Sequence, residues 1–182
     1  MGFDENDAIG AYLPINKPQS AEKRYLEKIF DNNSWDDLLA MQDIGGSITP
    51  ELKSEFHLLW IEKGHFIREK INNDNKLLDL LRIFLPAYDG EGMFLFRGEN
   101  IDRFNDLKIG FCWTQTQKTA EQFARGLNAC GKGGILLKAW VPATSILAGI
   151  HPHSVYLGEY EITVDSTGIE QIDIIRQYPP SH

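Results

Sequence analysis

Apolar residues follow two different spacings along this chain. Up to about residue 90 they recur every three or four positions, the interval of a helix face; after Gly90 they come as short consecutive or alternating runs, the mark of strands. Ser20 is placed to cap a helix with Ala21, Tyr25, Leu26, Ile29 and Phe30 along it, and Ser34 opens a second with Trp35, Leu38 and Leu39 on one side. Asp43 to Ser47, containing Gly45-Gly46, ends that helix. Thr49-Pro50-Glu51 combines a cap, a first-turn proline and an early acid, and the stripe Leu52, Phe56, Leu59, Trp60, Ile67, Ile71 follows at helical spacing. A fourth helix runs from about Asp74 through Leu77, Leu78, Leu81 and Phe84 until Pro86 closes it.

Beyond Gly90, Met93-Phe94-Leu95-Phe96 leads into Arg97-Gly98, Ile135 to Val141 stops at Pro142, and Tyr160 to Val164 is rich in β-branched residues. Ile172 to Tyr178 supplies a last strand. One amphipathic helix interrupts them, with Ala120, Phe123, Ala124 and Leu127 on one face and Thr116 as its cap. Gly131-Lys132-Gly133-Gly134 reads as a turn ahead of a strand. The expected class is α+β: a helical region over 1–90, then a mostly antiparallel sheet region over 91–182, the two forming one compact unit.

Charge and composition narrow the function. The 182 residues carry 18 basic and 26 acidic side chains, net −8, with −6 falling in residues 1–90 and −2 in 91–182. No Lys/Arg cluster stands out, so nucleic acid is not the expected partner, although a short phosphate ligand remains allowed. The two cysteines, Cys112 and Cys130, are separated by seventeen residues and lack histidines at zinc-site spacing, so no metal is expected. His151 and His153 flank Pro152 and read as surface residues of a loop. No apolar run approaches eighteen residues and Met1 to Asp7 is acidic, which points away from a membrane span or a secretory leader and towards a reducing cytoplasm. An effector delivered by a dedicated secretion machine carries the same signature.

Three short segments hold candidate chemistry. Arg97 follows an apolar strand run and precedes Gly98, a residue that lets a ligand approach the backbone; its planar fork suits a diphosphate, and a salt bridge to Glu99 or Asp102 is the plain alternative. Glu159 and Glu161 stand two apart among the apolar Tyr160, Ile162 and Val164, so a continuous strand places both carboxylates on one face, with Thr163 and Asp165 extending it. Such a pair can divide anion and acid/base roles, whereas a solvated strand face shows the same alternation. Between them lies Phe111-Cys112-Trp113-Thr114-Gln115-Thr116, whose hydroxyls can meet a sugar or a carboxylate; helix capping by Thr116 and core burial of Trp113 are the plain alternatives.

Taken in order, Phe96-Arg97-Gly98, Trp113-Thr114-Gln115-Thr116 and Glu159-Tyr160-Glu161 resemble the three motifs of the Arg-Ser-Glu class of mono-ADP-ribosyltransferases. The resemblance covers roughly residues 91–178 and departs from the family in having Thr at both hydroxyl positions. It implies a two-sheet ADP-ribosyltransferase-like core with NAD as substrate in a cleft between the sheets. By the same resemblance Arg97 clamps the diphosphate, Gly98 offers backbone groups to the nicotinamide amide, and Trp113, Thr114 and Thr116 contribute to the cofactor site. Thr114 orients the ribose or the second glutamate, Glu161 holds the ribose 2′-hydroxyl and faces the developing cation, and Glu159 activates the acceptor. Glu-x-Glu implies an arginine of a protein target, met through the 151–158 loop with Tyr156. Two other functions fit the sequence: an NAD glycohydrolase, and a non-enzymatic interaction protein such as an immunity protein, antitoxin or adaptor.

Overall fold

A computed structural model describes residues 19–43 and 48–181, so the Gly45-Gly46 helix stop and the acidic residues 1–7 lie outside the described residues. Four helices come first. In α1 (Ala21–Asn32) the Ser20 hydroxyl accepts from the backbone N–H of Lys23, and Asn33 closes the helix in the left-handed region at φ 55°. After α2 (Trp35–Asp43), α3 (Pro50–Ile71) begins with Thr49 accepting from Leu52 and ends at Asn72, φ 47°. The side chain of Asn73 caps α4 (Asp74–Phe84), and Pro86 lies just past its end. The expected stripe on α3 is its buried face: Leu52, Phe56, Leu59, Trp60 and Ile67 pack with Leu26, Trp35 and Leu38 from the first two helices and Leu77, Leu80 and Phe84 from α4.

Among the described residues six strands form one sheet in the order β4-β5-β2-β1-β3-β6, with every neighbouring pair antiparallel. These are β1 (Met93–Asn100), β2 (Cys112–Thr114), β3 (Gly134–Val141), β4 (Ile146–Ala148), β5 (Glu161–Val164) and β6 (Ile172–Tyr178), with helices α5 (Ile101–Asn105), α6 (Gln117–Arg125) and α7 (Pro152–Tyr156) between them. The α+β reading therefore stands, with one sheet where two were expected. The reason is a single registered pair, Phe96 opposite Thr114, that joins β1 to β2 and so links two three-stranded halves. Past that pair β1 keeps its partner β3 as far as Asn100 opposite Gly134, but β2 turns away towards β5.

Alternation along the strands sorts the side chains. Leu95, Trp113, Ile135, Leu137, Ile162 and Val164 fill one buried cluster on one side of the sheet. On the other side α6 covers β1 and β3, and it sits so close that a Cβ on Gly98 would meet the backbone of Ala120 and Ala124. The sheet half carrying β2 and β5 is covered by α3: the Trp60 indole donates to the hydroxyl of Thr163 at 3.0 Å, and Trp60 meets Phe111 edge-on at 6.2 Å between ring centres. The helical region thus roofs the very strands that carry the second and third motifs. Among the described residues no helix is long and apolar enough to cross a membrane.

Candidate active site

Where the two sheet halves part, a cavity of about 690 Å³ opens beneath the C-terminal half of α3, a size suited to a small-molecule ligand. Its lining includes Trp60, Phe66 and Arg68 of α3, Arg97 and Gly98 of β1, Cys112 to Thr114 of β2, Phe123 of α6, and both Glu159 and Glu161. Six of the seven expected site residues therefore border one space. Thr116 does not: it is exposed at the start of α6, makes no side-chain capping bond, and instead donates its backbone N–H to the hydroxyl of Thr114. Thr116 does hold the expected N-cap position of α6, but its side chain makes no capping bond and does not line this cavity.

Arg97 is not at a strand end, since β1 runs three residues further by pairing with β3. Its guanidinium lies in the gap between β1 and β2, where it donates from Nε to Glu99 at 2.8 Å and from NH1 to the carbonyl of Cys112. Glu99 is wholly buried and also takes N–H bonds from Gly110 and Asn100, with Arg103 at 3.5 Å. Burial alone would raise the Glu99 carboxyl, but the two guanidiniums and the two backbone donors outweigh it and hold it below the usual carboxylate range. Gly110 is required here because a Cβ would occupy the place of the Arg97 guanidinium. With NH2 also 2.8 Å from the Glu99 carboxylate, three of the five guanidinium N–H groups are engaged, which leaves Arg97 two for a ligand. The ion pair of Arg97 with Glu99 is the plain alternative that the sequence offered, whereas Arg103 and Gly110 were not singled out.

Gly98 serves packing under α6, and its carbonyl accepts from the Asn128 amide at 2.8 Å. Trp113 is a core side chain, 1% exposed, with its indole N–H on Ser166. Thr114 lies directly opposite Glu161 across β2 and β5, so the two side chains share a face at cross-strand distance.

The glutamate pair departs from a continuous strand. β5 starts only at Glu161, and Tyr160 just before it takes a left-handed φ of 50°, two residues after Gly158 at φ 74°. Glu159 thus reaches the cavity through a turn and not by strand alternation. Thr163, expected on an open polar face, is fully buried under Trp60. The Glu161 Oε1 is buried and has no hydrogen-bond partner. Burial raises its carboxyl to about 7; the Cys112 thiol and Arg97 pull it down, and Glu159 pushes it further up. Burial also raises Glu159.

No family model, curated protein or solved structure matches the chain. The argument for function therefore rests on the site itself. The segment expected as the 151–158 loop is instead built around α7, whose N-terminus His151 caps by accepting from the backbone of His153. His151 is not a free surface residue either: its ring packs edge-on against the buried His57 of α3 at 4.8 Å, while His153 lies 3.7 Å from Glu62. Exposed Val155, Tyr156, Leu157 and Tyr160 flank the glutamates.

Proposed function

We propose that the protein is an NAD-dependent mono-ADP-ribosyltransferase that transfers ADP-ribose to an arginine side chain of a protein target. The observation that carries this reading is the unpartnered, buried Oε1 of Glu161 at the wall of a nucleotide-sized cavity that also borders Arg97, Thr114 and Glu159. A buried carboxylate oxygen without a partner is poorly solvated until a ligand hydroxyl or a developing cation meets it, which makes it a transition-state group. The residues fit NAD: two free N–H groups of Arg97 and the nearby Arg103 suit a diphosphate, and Trp60 and Phe66 give the cavity aromatic walls.

NAD supplies the ribosyl–nicotinamide bond, whose cleavage leaves positive charge on the sugar while the bonding pair departs with nicotinamide. Glu161 accepts from the ribose 2′-hydroxyl and lies against that charge, worth a few kcal/mol of barrier by the usual scale of such fixed charges. Thr114, opposite it, limits how far the carboxylate can turn. Glu159 takes the proton that the attacking arginine nitrogen must lose, and its raised pKa suits a base. The apolar side chains of Val155, Tyr156 and Leu157 around it give a target protein an apolar and acidic landing surface.

Nicotinamide release from NAD is the test, run with and without an arginine analogue, for the native chain and for Glu161→Gln. Release that needs Glu161 and rises with the analogue supports the transferase. Release indifferent to the analogue moves the reading to a glycohydrolase, and neither release nor NAD binding moves it to an interaction protein.

A further inference from the structure

Glu161 approaches the cavity from a strained turn whose last three amides are held from outside the strand. Ser154 of α7 is fully buried. Its hydroxyl accepts from the backbone N–H of Glu161 at 2.7 Å, and its carbonyl accepts from the N–H of Glu159 at 3.0 Å and of Tyr160 at 3.3 Å. Three successive amides of the glutamate turn thus end on a single residue. We propose that Ser154 is a positioning residue that fixes the Glu159–Glu161 turn, its hydroxyl setting Glu161 and its carbonyl setting Glu159; this rests on the catalytic reading of the pair.

The physical need is clear at Tyr160. A non-glycine residue in the left-handed region is held there at a cost, and such strain persists only where surrounding contacts over-determine it. Gly158, at φ 74°, takes its left-handed turn without a side-chain penalty, and its carbonyl accepts from the Thr119 hydroxyl at 3.4 Å. What anchors Ser154 is α7 against α3, through the His57–His151 contact and the approach of His153 to Glu62. The division of labour between hydroxyl and carbonyl has a measurable consequence. Replacing Ser154 by Ala removes the acceptor for Glu161 alone, and Ala keeps α7 helical because it is the better helix former.

The experiment compares native protein, Ser154→Ala and Ser154→Cys, the last retaining a weak acceptor. Two readouts are taken: nicotinamide release from NAD with an arginine analogue, and titration of the Glu161 carboxyl by carbon NMR. With Ala, kcat is expected to fall about 10- to 100-fold, the loss typical of a small misplacement, while KM for NAD stays within about twofold. Cys should lie between, and transfer and hydrolysis should fall together because Glu159 keeps its carbonyl partner. The Glu161 titration should drop from about 7 towards the ordinary carboxylate range as the freed carboxyl reaches water. Folded variants with unchanged kcat and titration overturn the proposal, as does a loss of kcat confined to a fall in folded fraction. If the native chain releases no nicotinamide, the enzymatic reading fails, and the titration still decides whether Ser154 sets Glu161; should the Ala variant not fold, the Cys variant carries both readouts.

Discussion

Burial holds a proton on Glu161 up to about pH 7, whereas the unfolded chain releases it near 4.5. The folded state therefore binds more protons between those values, and stability falls as pH rises through that window, by on the order of 3 kcal/mol. Glu161→Gln has no charge to bury, so at pH 8 it should unfold at higher denaturant than the native chain, and the gap should close by about pH 4.5. Nicotinamide release should rise with pH through about 7 in the native chain, since only the anion stabilises a cation. At Glu159, substitution by Gln should reduce transfer to an arginine analogue far more than hydrolysis of NAD; equal losses would remove its acceptor role. Much of this site was legible as residue types: Arg97, Thr114 and the two glutamates do border one cavity. What was hidden acts through the backbone. Gly110 matters by lacking a side chain, and Ser154 by the amides it receives, neither of which leaves a spacing signature.

Helices long enough for two or more turns announced themselves through caps and periodicity, as Ser20 and Thr49 illustrate. β2 and β4 have three residues each and α5 and α7 five, too few for any period to register, so their places come from tertiary pairing. α7 gives the element scale its own pH dependence. His57 on α3 is buried with its Nε2 unpartnered, and burial, with His151 beside it, lowers it to about 4. A depressed histidine means that the unfolded state binds more protons below its ordinary 6.5, so the contact loses stability as pH falls from 6.5 to 4, again on the order of 3 kcal/mol. His57→Phe should flatten that acid limb in denaturant unfolding. It should also keep α7 on α3 at pH 5, read as protection of the Ser154-bound amides.

For the whole molecule, composition and pattern led to one α+β unit without indicating how its sheet closes. The expectation of two sheets failed at one contact, Phe96 opposite Thr114, because a lone registered pair is invisible in strand periodicity. α4 ends at Phe84 and β1 starts at Met93, yet α3 reaches across to bond Thr163, so helices and sheet share a roofed cavity. Opposed titrations at Glu161 and His57 predict a joint stability maximum between about pH 5 and 6.5, testable as the curvature of unfolding free energy against pH that the double variant should lose.

That lone pair also defines the line along which the molecule yields. Arg97 stands on one side of it and Glu161 on the other, so any ligand held by both is a cross-link between halves that otherwise share little main-chain bonding. Amides of β4 and β6, the two outer strands, should then exchange with solvent as separate cooperative groups in the free protein. Added NAD should slow both together, at strands that hold neither Arg97 nor Glu161, turning affinity at the centre into rigidity at the rims.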